Sequence, residues 1–407
     1  MADPFSDAKE RIREMDMHLK LTKEEFAYLT KPAKINKTEL NIGKEKLPAW
    51  RILYNNALGP GKGGIRFHPD VSQEEVMALS FWMTLKNSLL GLPYGGAKGG
   101  VKFNPKDKDE KYLQKVSRLY MDAFYKVVGA DKDIPAPDVY TTPQIMGWML
   151  DEYEKKVGHH EPGFITGKPH VLGGLNLRSD STARGGFIIL KELLHHFTGL
   201  VKKPTVAIQG FGNAGMNIAK MIYQDGFKVV AVSDSRGGIY DKSGLNINSV
   251  IEIKNSHKSV TDSEGKKITN EELLELDADI LILAALENQI TAENAGNVKA
   301  QVIIEVANGP VDRAADKILY NKGIQVVPDI LANAGGVVVS YFEWAQNRAG
   351  NIFDEEFFEK KLYTMMEDAW HRVYELHLEL KDADLRTAAY VLAIRRVLEA
   401  AKLRGKF

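Results

Sequence analysis

The sequence has no cysteine among its 407 residues, which excludes disulfides, thiolate nucleophiles and every Cys-ligated metal site. It has no excess of either charge. Lys and Arg number 54 and Asp and Glu number 54, whereas a nucleic-acid binder ordinarily carries a basic surplus. No apolar run approaches the roughly twenty residues a bilayer requires, the longest clean stretch being Ile280-Leu281-Ile282-Leu283-Ala284-Ala285-Leu286. The first residues carry Lys9, Glu10, Arg11 and Arg13 and no apolar signal-peptide core. A cytoplasmic protein with no membrane and no nucleic-acid partner is therefore expected. What is present is the 44% apolar and 27% charged composition of a globular chain. At about 150 residues per domain it is long enough for roughly two or three.

Two halves differ in pattern. In the first, Thr22-Lys23-Glu24-Glu25 and Ser72-Gln73-Glu74-Glu75 read as capping boxes, the second opening a helix through Val76, Leu79, Trp82, Met83 and Leu85 to about Leu89. The stretch from Thr38 to Asn56 reads as extended, and Lys111 to Val128 as an amphipathic helix. Gly59-Pro60-Gly61-Lys62-Gly63-Gly64, with four glycines in six residues, reads as a loop. So does Gly95-Gly96-Ala97-Lys98-Gly99-Gly100, ahead of a short strand at Val101–Phe103. Asp133-Ile134-Pro135-Ala136-Pro137-Asp138 reads as a rigid turn-rich segment, because each proline fixes its own φ and pushes its predecessor out of the helical region.

From about residue 180, strands at 205–209, 228–232, 279–284, 301–306 and 324–327 alternate with helical stretches, the pattern of a doubly wound parallel sheet. After about 344 the chain reads as helical to its end. Gly210-Phe211-Gly212-Asn213-Ala214-Gly215 follows the first of these strands and opens a helix. Glycines there permit a tight turn and let backbone N–H groups approach a pyrophosphate at the positive helix end. Asp234, about twenty positions on at the end of the next strand, suits the adenosine ribose hydroxyls. Asp234 favours NAD, while Ser235 and Arg236 beside it keep NADP open.

Lys62 and Lys98 each sit within a glycine cluster, and Lys86 lies near the end of the helix between them. Three lysines on one pocket would suit a substrate with two carboxylates, and their repulsion and desolvation would lower the pKa of one amine for catalysis. A helix-end cation for Lys86 and solvated loop charges for the other two are the plain alternatives. Asp138 follows two prolines, which would hold a proton-transfer group steady, although Asp after Pro is also a routine turn residue.

Several segments together are more specific: Lys62 to Pro69 (KGGIRFHP), Leu92 to Gly100 (LPYGGAKGG), Asp133 to Asp138 (DIPAPD), Thr166-Gly167-Lys168-Pro169, the Gly210 fingerprint, Ala307-Asn308-Gly309-Pro310 and Asn333 to Trp344 (NAGGVVVSYFEW). In this order, over nearly the whole chain, they resemble the glutamate/leucine/phenylalanine/valine dehydrogenase family, in its short hexameric glutamate branch. The resemblance implies an α/β protein with an N-terminal substrate and assembly domain (1–178, completed by helices 345–407) and a Rossmann-like dinucleotide-binding domain (179–344). It implies NAD(P)-linked interconversion of L-glutamate with 2-oxoglutarate and ammonium, in a cleft between domains of a homohexamer.

On this resemblance, Lys98 activates the water that attacks an iminium and Asp138 carries a proton to and from nitrogen. Lys86 binds the α-carboxylate, and Lys62 and Ser340 hold the γ-carboxylate. Gly64, Met83, Ala136 and Val337 complete the candidate substrate set. Asn308 and Asn333 are implied at the nicotinamide ribose and Thr182 at its amide, with Ala284 and Ser235 joining Gly210–Gly215 and Asp234 in the cofactor set. Polar residues at 62 and 340 suit glutamate, since a buried cation facing a methyl group would be left unpaired. Val337 and Ser340, three apart, share a helix face.

This chain departs from the family pattern on the cofactor side. Leu177 to Ala183 (LRSDSTA) stands where Gly-Arg-x-x-Ala-Thr-Gly is usual, Leu283 replaces a proline, and Asp312-Arg313 replaces Thr-Pro. An apolar amino-acid dehydrogenase and a non-catalytic NAD sensor on the same fold remain the rival readings. No metal site is expected. Of the ten histidines, His159-His160 and His195-His196 are adjacent pairs that diverge on a helix.

Overall fold

The computed structural model describes residues 4–197 and 203–407. It divides into two compact units, each built on its own sheet. The first runs to Arg178 and takes in Val337–Glu359 and Tyr390–Phe407, and the second comprises Ser179–Gly336 and Lys360–Ala389. The sequence reading divides the chain at 178 and 344, whereas Val337–Glu359 already groups with the first unit. The C-terminal helices, expected to belong wholly to the first unit, are shared: residues 360–389 group with the second.

The first unit contains strands β1 (Lys34–Ile42), β2 (Glu45–Asn55), β3 (Gly61–His68), β4 (Gly96–Lys102) and β5 (Asp133–Pro137), in the order β1-β2-β4-β3-β5. β2 is antiparallel to β1 and β4, whereas β3 is parallel to β4 and β5. The two glycine clusters and the proline-rich segment are therefore strands, against the sequence expectation of loops and a turn. The reason is tertiary packing. β4 runs between helices Gln73–Leu89 and Glu110–Phe124, where a Cβ on Gly96 would strike Thr84 of the first and one on Gly99 the Tyr120 hydroxyl of the second. Absence of a side chain lets the backbone approach both, outweighing glycine's weak strand propensity. β5 tolerates Pro135 and Pro137 because it is an edge strand, where a missing N–H need not break a ladder. The core on this side joins Leu40, Phe67, Val101, Tyr120, Phe124, Ile145 and Met149, all buried.

Local signals hold where they are self-contained. Thr22 forms the predicted capping box, and Thr269 forms a further one. Ser72 caps its helix by accepting from Glu75 N, and the Glu75 carboxylate forms an ion pair with Arg66.

The second unit contains β6 (Thr205–Gln209), β7 (Lys228–Asp234), β8 (Gly237–Tyr240), β9 (Lys266–Ile268), β10 (Ile280–Leu283), β11 (Val302–Glu305) and β12 (Gln325–Val327). Their order is β12-β11-β10-β6-β7-β8-β9. β12 through β7 are parallel, as the alternating pattern implies. β8 and β9 are antiparallel additions that the sequence reading did not contain. After β9 the chain returns to the other side of β6 as β10, so strand direction of travel reverses between β6 and β10. Ligands of open α/β sheets bind outside the strand ends at such a point.

Candidate active site

In the first unit the strands bring a set of buried charges together. Arg51 of β2 is fully buried and forks onto Asp133 of β5, with Nε 2.8 Å from Oδ2 and Nη2 on Oδ1. Its Nη1 donates to Gly63 O at 3.0 Å, pinning the backbone beside Lys62. Lys98 of β4 forms an ion pair with Asp138 Oδ2, and Arg66 Nη2 lies 3.5 Å from Oδ1. Asp138 Oδ1 also accepts from Val139 N at 2.7 Å. Burial works to raise the Asp138 pKa, but Lys98 and Arg66 overcome it and hold the carboxyl far below its usual range. Burial lowers the Lys98 pKa, helped by Arg66 and Arg51 and opposed by Asp138. A lysine easier to deprotonate than usual thus faces a carboxylate that stays ionised.

Gly64 is required here. A Cβ would lie 2.6 Å from Pro137 O and 2.8 Å from Asp138 Cβ, so any side chain would displace the carboxylate. Gly64 registers with Ala136, which is 6% exposed. Met83 approaches from helix Gln73–Leu89, its Cγ 3.3 Å from where a Gly63 Cβ would stand. Lys86 is half-buried in the last turn of that helix.

Lys62 differs from the other cations. It is 1% exposed, and its ammonium makes no hydrogen bond or ion pair among the described residues. Burial, reinforced by Arg51 and Arg178 and opposed by Glu343, pushes its pKa down from 10.5 to about 7. Glu343 does not neutralise it, because that carboxylate is spent elsewhere. It accepts from Lys168 Nζ at 2.6 Å, from Gly167 N at 2.8 Å and from Lys168 N at 3.3 Å. Val337 and Ser340 are buried in helix Gly335–Ala349, and Ser340, three residues before Glu343, shares its face.

Sequence reasoning missed Arg51, Arg66, Lys168, Arg178 and Glu343. Arg51 carries a signal: it is a charge inside the apolar run Trp50 to Tyr54. Glu343 and Lys168 fall inside the family motifs but carry no signal of their pairing, since each is explained only by a partner far away in sequence.

The second unit holds the cofactor candidates at the reversal point of its sheet. Gly210 has φ +90°, and a Cβ there would lie 2.6 Å from Ala284 C, just past β10. A Cβ on Gly215 would overlap Gly210 O. Helix Asn213–Gln224 begins at this turn with Gly212 as its N-cap and no side-chain cap, so the first N–H groups are directed at open space around exposed Gly212 and Asn213. This uncapped positive end with a glycine turn fits a pyrophosphate. Asn213 Nδ2 donates to Ser179 O at 2.7 Å, and Ala214 follows it in the first turn. The Phe211 side chain is buried, leaving only its backbone for a ligand. Asn333 Nδ2 donates to Asn308 Oδ1 at 2.9 Å, joining two of the nicotinamide-side candidates. Thr182 lies in the first turn of helix Ser181–His196.

Asp234 ends β7 as expected, yet its carboxylate is engaged within the unit. Lys254 Nζ (2.6 Å), Ser259 Oγ (2.9 Å), Val260 N (3.1 Å) and Arg236 N (2.9 Å) all donate to it. Burial opposes ionisation, but these donors, Lys254 foremost, hold its pKa well below normal. Arg236 is turned to Asp262 at 3.0 Å, while Ser235 is exposed.

Comparison with known proteins agrees with this layout. The profile of the glutamate/leucine/phenylalanine/valine dehydrogenases matches residues 173–405, and that of the dimerisation domain of the same enzymes matches residues 34–155. The chain is 44% identical to an NADP-specific glutamate dehydrogenase of Synechocystis sp., covering 98% of this chain and 97% of that one. It is 48% identical to a cryptic catabolic NAD-specific glutamate dehydrogenase of Bacillus subtilis, covering 88% and 84%. Its fold superposes with TM-score 0.92 on a hetero-hexameric glutamate dehydrogenase of Thermus thermophilus in a leucine-bound form, at 33% identity over 100% of this chain and 98% of the other.

Proposed function

Because the chain belongs to the glutamate/leucine/phenylalanine/valine dehydrogenase family, we propose that it catalyses the reversible oxidative deamination of L-glutamate to 2-oxoglutarate and ammonium, with NAD and also NADP as acceptor. The observation that carries the substrate choice is Lys62. Arg51–Asp133, Lys98–Asp138 and Lys168–Glu343 are closed pairs, whereas the buried Lys62 ammonium has no counter-ion among the described residues. A substrate ending in a carboxylate supplies the missing charge. A leucine or phenylalanine side chain would leave a buried charge unpaired, which costs several kcal/mol.

In this reading Lys62 and Ser340 hold the γ-carboxylate and Lys86 the α-carboxylate, with Gly64, Met83, Ala136 and Val337 as walls. The N–H groups of Gly210 to Gly215 hold the pyrophosphate, Asp234 and Ser235 lie toward the adenosine ribose, and Thr182, Ala284, Asn308 and Asn333 lie toward the nicotinamide. The bound nicotinamide supplies the acceptor for a hydride. Loss of that hydride from Cα leaves an iminium on the substrate. Lys98, with its lowered pKa, takes a proton from the water that adds to it and stabilises the charge that develops. Asp138 first takes a proton from the substrate ammonium, freeing the amine for hydride loss, and returns it to nitrogen in the water adduct. As the C–N bond breaks the hydroxyl proton passes to the departing ammonia, giving ammonium and 2-oxoglutarate, and Lys98 then loses its extra proton to solvent. A non-catalytic sensor has no use for the Lys98–Asp138 pair.

Steady-state rates with glutamate, leucine, phenylalanine and valine, followed at the absorbance of the reduced nicotinamide, test the proposal. Glutamate is expected to be turned over fastest, and faster turnover of leucine would overturn it. Assembly as a homohexamer is part of the proposal, supported by the dimerisation-domain match and the hexameric Thermus relative. Light scattering on the eluted protein checks it, with six chain masses expected. A cytoplasmic setting is proposed with it. Among the described residues no helix is long and apolar enough to cross a membrane.

A further inference from the structure

Glu192 lies one turn before the C-terminal end of helix Ser181–His196, where the helix dipole disfavours negative charge. Its side chain is only 4% exposed. Oε1 accepts from the Tyr363 hydroxyl at 3.1 Å, and among the described residues Oε2 makes no hydrogen bond and no Lys or Arg pairs with the group. Its basic neighbours are imidazoles: His195 Nδ1 and His371 Nε2 each lie 3.9 Å from Oε2. Glu367, four residues before His371 and so on the same helix face, brings a second carboxylate. One ligand atom from each of Glu192, Glu367 and His371 falls within 4.8 Å of the other two.

A buried carboxylate lacking a cation is costly. Here it meets a second carboxylate and two imidazoles, a nitrogen and oxygen donor set suited to a divalent transition ion. Tetrahedral coordination with bonds near 2.0–2.1 Å puts donors about 3.3 Å apart, so an ion would draw these three groups inward from their present spacing. His195 and His371, 65% and 44% exposed, leave the ion an entry path.

We propose that Glu192, Glu367 and His371 form a zinc-class metal site, its fourth position taken by water, that staples helix Ser181–His196 to the segment carrying Tyr363, Glu367 and His371. The site is independent of the reaction assigned above.

The test uses the untagged full chain, stripped with a chelator and titrated with Zn2+ and with Co2+ as a spectroscopic probe. One ion per chain, visible Co2+ d–d bands and a higher Tm with Zn2+ are expected. Glu192→Gln and His371→Ala should each weaken binding by about tenfold or more, as loss of metal-site groups does. His159→Ala, which alters a histidine outside the cluster, should bind like the parent. Absence of Co2+ bands and of any Tm rise in the parent chain, or variants that bind as tightly as it does, would overturn the site. Because stability and spectra are read, the outcome does not depend on which amino acid the chain oxidises.

Discussion

Lys98 in β4 and Asp138, the residue after β5, form a buried ion pair, and Arg66 stands 3.5 Å from the other oxygen of the same carboxylate. The pair joins two strands that each flank β3, so a proton donor and a proton acceptor are fixed by the sheet and not by a mobile loop. Lys98→Ala should lower kcat by about 10²–10⁴-fold, the usual worth of a positioned acid–base group, while leaving NAD affinity within about twofold. Its effect on pH separates catalysis from mere packing. Without Lys98 the largest influence opposing burial at Asp138 is lost while Arg66 remains, so its pKa rises and the acid limb of the residual activity should move to higher pH. Stopped-flow turnover across pH, with NAD binding by fluorescence, checks both parts.

Lys62 gives a second prediction through proton linkage. With its pKa near 7, the ammonium is largely neutral one unit above that pH, and a bound carboxylate raises the pKa again. Binding of a dicarboxylate such as glutarate should take up about one proton at about pH 8 and much less at about pH 6, read from the buffer dependence of the calorimetric enthalpy. Lys62→Met should abolish the uptake. The sign for stability is the opposite of a paired lysine's. Below pH 7 both folded and unfolded chains carry the charge and its burial penalty is fully felt. Between 7 and 10.5 the folded chain has released the proton and the unfolded chain has not, so the penalty fades as pH rises. Lys62→Met should therefore stabilise the ligand-free chain most at acid pH.

Arg51 ties β2 to β5 and to the backbone beside Lys62. Arg51→Met leaves Asp133 buried without its cation and should cost about 3–5 kcal/mol of stability. Arg51→Lys keeps the charge but loses the two-pronged geometry, and should recover only part of that loss. Urea unfolding of the two variants measures the difference.

The second unit was legible in detail because its signals are local. A strand at 205–209, a glycine turn, an uncapped helix and an acidic strand end follow one another within one βαβ unit. The first unit was legible only in its residues. Lys62, Lys98 and Asp138 stood out as candidates, yet their segments read as loops or a turn, because strand formation there depends on two helices closing on glycine-bearing backbone. Glu343 was invisible for a related reason: its partners, Gly167 and Lys168, are 176 and 175 residues away. β8 and β9 are too short to announce themselves by alternation.

Asp234 yields a prediction on cofactor choice. Its charge is balanced by Lys254, which removes much of the repulsion an acidic strand end would direct at a 2′-phosphate. The chain should accept NADP as well as NAD. Lys254→Ala exposes the carboxylate's charge and should lower kcat/KM for NADP relative to NAD by about fivefold, the order of one partly exposed ion pair. Parallel kinetics with the two cofactors give the ratio directly.

The central claim is that an unpaired buried cation at position 62 selects a substrate with a terminal carboxylate. The ratio of kcat/KM for glutamate to that for leucine, measured in the parent chain and in Lys62→Met, tests it most directly. The account predicts a ratio well above one that falls by about 10²–10³-fold in the variant, the cost of a lost buried charge pair, with leucine turnover unchanged or improved. A ratio that Lys62→Met leaves unaltered would contradict it.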